Sequence, residues 1–179
     1  MKPRYLFLFA LGLLLAVPAT AQERANDEVR ASPNALVGQT IGMTDVTVTY
    51  GRPRVRGRAI FGDLVPYDAV WRTGANEATT VTFSGDVTVE GQPLSAGTYS
   101  LFTIPGEDEW TVIFNEVVEQ WGAYDYDESR DALRVTVEPE EAAFTEFMTF
   151  SFDEVGEEEG ELVLRWDEMR VPLTIGVGS

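Results

Sequence analysis

From Leu36 to Ile175 the chain keeps a two-residue rhythm, and nothing else in it limits the possible folds so strongly. Val46, Val48 and Tyr50 recur on alternate positions of Asp45–Tyr50, and Thr79–Phe83 and Leu133–Val137 alternate in the same way. Successive side chains of an extended backbone point to opposite faces, so such runs predict half-buried strands. Polar turns interrupt them about every ten residues. Ser84-Gly85-Asp86 leads into Val87–Val89, Glu90-Gly91-Gln92 follows, and Pro105 to Asp108 joins Gly97–Ile104 to Trp110–Phe114. Phe144 to Phe152 reads as a long strand, and Glu161–Trp166 with Met169–Ile175 reads as a closing hairpin. No segment shows a helical period. The expectation is an all-β domain of about nine or ten strands, an antiparallel β-sandwich with a jelly roll as one form of it, and a closed barrel as the alternative.

The first residues belong to a targeting signal. Lys2 and Arg4 precede an apolar run from Tyr5 to Val17, and Ala19-Thr20-Ala21 is a small-x-small cleavage site, which places the cut after Ala21. The run is too short to span a bilayer, which takes about 20 residues. No cysteine follows it for a lipid anchor, and no second apolar stretch predicts a transmembrane segment in the mature chain. Residues 22–33 are polar and patternless and read as a flexible arm, leaving 34–177 as a single domain. The protein is expected to be exported, either periplasmic or secreted.

Composition then removes whole classes of chemistry. There is no cysteine and no histidine. A thiol nucleophile, a Ser-His-Asp triad and a His/Cys metal site are excluded, and no metal or cofactor is expected. The chain carries 13 Lys+Arg against 30 Asp+Glu, net −17. Once Lys2 and Arg4 are removed, no lysine remains. At about 1 M salt the Debye length is about 3 Å, so an acidic, lysine-free surface is tolerable in brine and soluble there. The composition reads as halophilic adaptation. It argues against nucleic acid as a partner.

Two segments break the rhythm. Residues 50–77 hold Arg52, Arg54, Arg56, Arg58 and Arg72 among prolines, glycines and aromatics. Asn115 to Asp131 is far longer than a hairpin needs, and such loops in compact domains are often functional.

The first segment also carries a family resemblance. Arg52-Pro53, Gly57-Arg58, Ile60-Phe61-Gly62, Val65-Pro66-Tyr67 and above all Val70-Trp71-Arg72-Thr73-Gly74-Ala75-Asn76-Glu77 resemble the bacterial domain-of-unknown-function family 2911, exported proteins of Bacteroidetes-like bacteria. Ala96-Gly97-Thr98-Tyr99, Trp110 to Asn115 and Trp121-Gly122-x-Tyr124 extend it, so that it covers about Ser32 to Val177. The family's lysine before Gly57 is Arg56 here. The resemblance implies no activity.

Candidate sites follow from residue chemistry. Arg52, Arg54, Arg56 and Arg58 have period two and, if extended, put four guanidinium groups on one face, about 6.6 Å apart. They suit anion binding, or else internal ion pairs with the abundant carboxylates. In the 71–77 turn Arg72 can hold an anionic or hydroxylated ligand, Asn76 can orient it and Glu77 can serve as acid, base or metal ligand. The competing reading buries Trp71 and pairs Arg72 with Glu77. Trp121, Tyr124 and Tyr126, edged by Asp125 and Asp127, can form an aromatic platform for a sugar or a loop pinned by its own rings. Asp125, Asp127, Ser129 and Asp131 have a calcium-loop spacing, but Arg130 stands where glycine is needed. The expected function is a non-catalytic binding module for a saccharide or other small polar ligand in the cell envelope, with Trp71, Arg72, Asn76, Glu77, Trp121 and Tyr124 as its contacts. One alternative is a glycoside hydrolase pairing Glu77 with Asp125 or Asp127. The other is a structural or partner-binding envelope protein, with the arginine row as its contact surface.

Overall fold

The computed structural model describes residues 28–178. The signal peptide, its cleavage point and residues 22–27 of the arm lie outside the described residues. Ten strands make two antiparallel sheets. The larger contains β1 (Asn34–Ile41), β2 (Thr44–Gly51), β3 (Thr79–Phe83), β6 (Gly97–Pro105), β7 (Trp110–Asn115) and β8 (Asp131–Val137), in that order. The smaller has β4 (Val87–Val89), β5 (Gln92–Leu94), β9 (Glu140–Asp153) and β10 (Glu159–Val177), in the order β5-β4-β10-β9. This is a sandwich and not a closed barrel. Nor is it a jelly roll in order: the larger sheet is a meander interrupted once, where β4 and β5 cross to the other layer. No helix among the described residues is long and apolar enough to cross a membrane.

The rhythm of the sequence becomes the core directly. In β2, Val46, Val48 and Tyr50 are buried while Asp45 is exposed. They meet Met148 and Phe150 of β9 and Leu162, Leu164 and Trp166 of β10 in one cluster spanning both sheets. Each fully buried Val, Leu or Phe side chain stabilises by about 1.5–3 kcal/mol. Tyr50 ties the layers further: its ring meets Phe150 edge-on at 4.9 Å, and its hydroxyl accepts the Phe150 N–H at 3.1 Å.

The closing hairpin is misplaced in the sequence reading. Glu161–Trp166 and Met169–Ile175 do not face each other; both belong to β10. Asp167 and Glu168 look like a turn, yet Asp167, at φ 57°, makes an irregularity in the ladder with β9, which pairs with β10 on both sides of it. An extra residue in a bulge and a reversal call for the same small or polar chemistry.

Candidate functional site

The 71–77 turn is fixed by its backbone before any side chain acts. Trp71 exchanges N–H···O bonds with Thr103 in β6, at 2.8 and 2.9 Å. Thr73 and Asn76 hold left-handed conformations, φ 51° and 65°. That is costly for a β-branched threonine and persists only where the surroundings over-determine it. They do so here: Thr73 Oγ1 donates to Trp71 O, and Thr73 O accepts from Thr79 Oγ1 at 2.7 Å. The turn also lies against β2. A Cβ on Gly51 would sit 2.1 Å from Ala75 O, so only glycine permits this approach.

The predicted residues then part company. Trp71 is in the core, stacked on Trp166 at 5.8 Å with 19° between the rings, and its indole N–H donates to Gly74 O at 3.2 Å. Arg72 and Glu77 are not paired. The Glu77 carboxylate receives Arg30 Nη1 at 2.7 and 2.9 Å, and both side chains are nearly buried. Arg30 belongs to the segment expected to be loose, so the described end of that arm is seated. Ser32 O accepts Asn76 Nδ2 at 3.1 Å, and Pro33 O accepts Arg52 N at 2.9 Å. Arg72 has no hydrogen bond or ion pair from its side chain among the described residues, and its Nε is buried without an acceptor. Burial pulls its pKa below the ordinary arginine value; the field of Tyr124 acts in the opposite sense.

Backbone contacts place the two irregular segments side by side. Glu77 bridges Trp121, Gly122 N donates to Asn76 O at 3.0 Å, and Ala78 N donates to Gln120 O at 2.9 Å. The loop between β7 and β8 folds back over the outer face of the larger sheet, where Ala123 and Tyr126 cover Phe102 and Ile113. Asn115 pins it by donating to Asp127 O and Asp131 Oδ1. Tyr126 is structural. It donates to Asp131 Oδ2 and accepts from Arg134, both at 2.6 Å, and burial first, then the Asp131 bond, pushes its pKa up to about 12. Asp127 is structural as well: its carboxylate caps a single 3-10 turn at Glu128–Arg130 through Ser129, which holds its pKa below the usual aspartate value. Trp121 and Tyr124 are left as exposed rings, 57% and 86% accessible.

The arginine row is not a row. Arg56 at φ 51° and Gly57 at φ 67° turn the chain. Arg52 and Arg54 both lie against the Phe147 ring, at 5.0 and 4.2 Å from its centroid. Arg52 also donates to Met148 O and Thr149 Oγ1. Arg58 folds back to donate Nε to Val55 O and Nη2 to Arg54 O. None of the four forms an ion pair among the described residues, so the internal counter-ion reading does not hold there. Their partners are carbonyls, a hydroxyl and a ring.

Beside the turn lies an open recess of about 380 Å³, lined in part by Ser32, Arg58, Trp71, Arg72, Asn76 and Trp166. Trp166 and Ser32 were invisible to sequence reasoning as site residues. Trp166 was one apolar position of a strand, and Ser32 lay in a segment without pattern. Arg30 was missed for the same reason, its partner being 47 residues away.

A family model described as "Protein of unknown function (DUF2911)" matches residues 32–175 of the chain. No curated protein and no solved structure matches it.

Proposed function

Because the chain belongs to the DUF2911 family, whose description assigns no function, activity has to be argued from the site itself, and we propose that the protein is an exported, non-catalytic binding module for a small polar ligand. The observation that carries this is the recess beside the 71–77 turn. It brings two cations without an ion pair among the described residues, Arg72 and Arg58, one amide, Asn76, and the edges of two stacked indoles to a concave surface held by two sheets. A few polar groups fixed in a largely apolar concavity are the usual construction of small-molecule sites, commonly about 300–1,000 Å³. The exposed Trp121 and Tyr124 adjoin the same turn and offer further ring surface to a saccharide.

The same geometry favours binding over hydrolysis. A carboxylate pair would need free oxygens on Glu77 and on Asp125 or Asp127. Glu77 is engaged by Arg30, and Asp127 by the N–H and hydroxyl of Ser129. The signal sequence and the acidic, lysine-free composition support export into a saline surrounding.

The test is a thermal-shift screen of the mature protein in molar salt against saccharides, amino acids and nucleotides, with Arg72→Ala alongside. A ligand-specific rise in Tm that the variant loses is the expected outcome. If no compound shifts the wild type, the recess is not a binding site.

A further inference from the structure

We infer, on the premise that the recess is a binding site, that its ligand carries an oxyanion (a carboxylate, sulfate or phosphate group) which Arg72 and Trp166 receive together. Three observations converge on this. The first is a pair of orphaned donors. Arg72 Nε and Trp166 Nε1 are both buried without an acceptor, and both residues line the same recess, whereas the Trp110 indole N–H, likewise without an acceptor, belongs to a residue that does not line it. Buried donors without partners are rare enough in native proteins that each asks for an explanation, an unseen ion or ligand among them. Both groups can only donate, so what completes them must be an acceptor.

The second observation is the lining. Among the described residues, no aspartate or glutamate lines the recess, although the chain has 30 of them. Arg58 lines it too, and its Nη1 has no partner among the described residues once Nε and Nη2 have bonded to Val55 O and Arg54 O. A second guanidinium edge is thus available at the same mouth.

The third is how the other arginines are used. Arg30, Arg130, Arg134, Arg165 and Arg170 each meet at least one carboxylate within 3.3 Å. Arg52, Arg54, Arg56, Arg58 and Arg72 meet none among the described residues, and of these Arg58 and Arg72 line the recess. A guanidinium presents Nε–H and an Nη–H as a planar fork that matches two oxygens of one oxyanion. The fork matches two oxygens of one group better than a single spherical chloride, while the indole donor accepts either anion.

The probe is the set of N–H resonances themselves. The side-chain Nε–H signals of arginine and the indole N–H signals of tryptophan are followed by 15N-edited NMR on the mature protein at fixed chloride. Acetate, sulfate, phosphate, glucose and glucuronate are titrated in turn; the Arg72 peak is assigned by its loss in Arg72→Lys, and those of Trp71 and Trp166 by Phe substitution. The expected result is a saturable displacement of the Arg72 and Trp166 peaks by the oxyanions. Glucuronate should bind about tenfold or more tighter than glucose, a preference reduced in Arg72→Lys and abolished in Arg72→Ala. Equal midpoints for glucose and glucuronate, read on the Trp71 and Trp166 peaks, would overturn the oxyanion inference while leaving the binding site standing. A glucuronate preference that survives in Arg72→Ala would overturn it too. If no probe moves either indole or Arg72, both the inference and the binding site fall.

Discussion

Arg165 and Arg170, on β10, and Arg72, in the 71–77 turn, are the same side chain put to opposite uses. Arg165 Nη2 meets Asp153 Oδ2 at 2.5 Å, and Arg170 holds Glu140 and Glu161 at 2.5 Å each, with Asp153 at 3.8 Å. Between them they bind the two longest strands of the smaller sheet across their ladder. Arg72 is partly withdrawn from water and receives no hydrogen bond or ion pair on its side chain from the described residues. Withdrawal of a charge without a partner is unfavourable, so the β10 arginines contribute to the fold and Arg72 detracts from it. The difference separates residues that hold the sandwich together from one that has no such partner among the described residues.

The strongest lever on this comparison is Arg30, which is paired with Glu77 at the turn. Arg30→Ala leaves the nearly buried Glu77 carboxylate without it. Stability should fall by about 3 kcal/mol, measured by urea unfolding, because breaking one side of a buried pair typically costs about 3–5 kcal/mol. A loss under about 0.5 kcal/mol would mean that the arm contributes nothing to the turn. Next comes Arg170→Ala, which separates one guanidinium from Glu140 and Glu161. Solvent reaches both carboxylates, so the expected cost is nearer 2 kcal/mol.

A smaller effect is read from pH. The Arg165 hydrogen bond holds the Asp153 pKa below the ordinary aspartate value, about 3.9. A depressed folded-state pKa contributes stability that is fully present above the unfolded value and is lost as pH falls through the folded one. Unfolding free energy should therefore decline below about pH 4, and Asp153→Asn should remove about 1 kcal/mol or less of that slope. An unchanged acid limb in the variant would show that the β10 pairing is screened to nothing.

How much of this was legible in the sequence depends on how local its cause is. Val46, Val48 and Tyr50 could be assigned to one buried face because alternation is written in adjacent residues. The unusual character of 71–77 and 115–131 could be read from the failure of that rhythm. Their contact could not: Gly122 N reaches Asn76 O only through the path of β3, β6 and β7. One of the two readings of the turn pairs Glu77 with Arg72, five positions away, whereas its carboxylate meets Arg30, 47 positions away. Proximity in sequence carries little information about which of twelve arginines a carboxylate meets. The continuity of β10 through Asp167 was hidden because a bulge and a reversal use the same residues. Trp166 at the recess was hidden because an inward strand position reads as core, and this one is core on one side and site on the other.

The smallest expected effect is the most informative. Arg72→Ala removes a large side chain from a partly buried position, where an arginine stem normally covers apolar surface. That loss should destabilise. The substitution also removes a buried Nε–H without an acceptor, whose relief is worth about 1–3 kcal/mol. The two nearly cancel, so unfolding in urea should change by no more than about 0.5 kcal/mol in either direction, against about 2 kcal/mol for Arg170→Ala in the same salt. If Arg72→Ala instead loses about 2 kcal/mol or more, Arg72 has a protein partner after all, the two kinds of arginine are one, and the turn is part of the scaffold. If it is neutral while glucuronate binding disappears, a charge that does nothing for the fold is kept at the one place where a ligand can complete it.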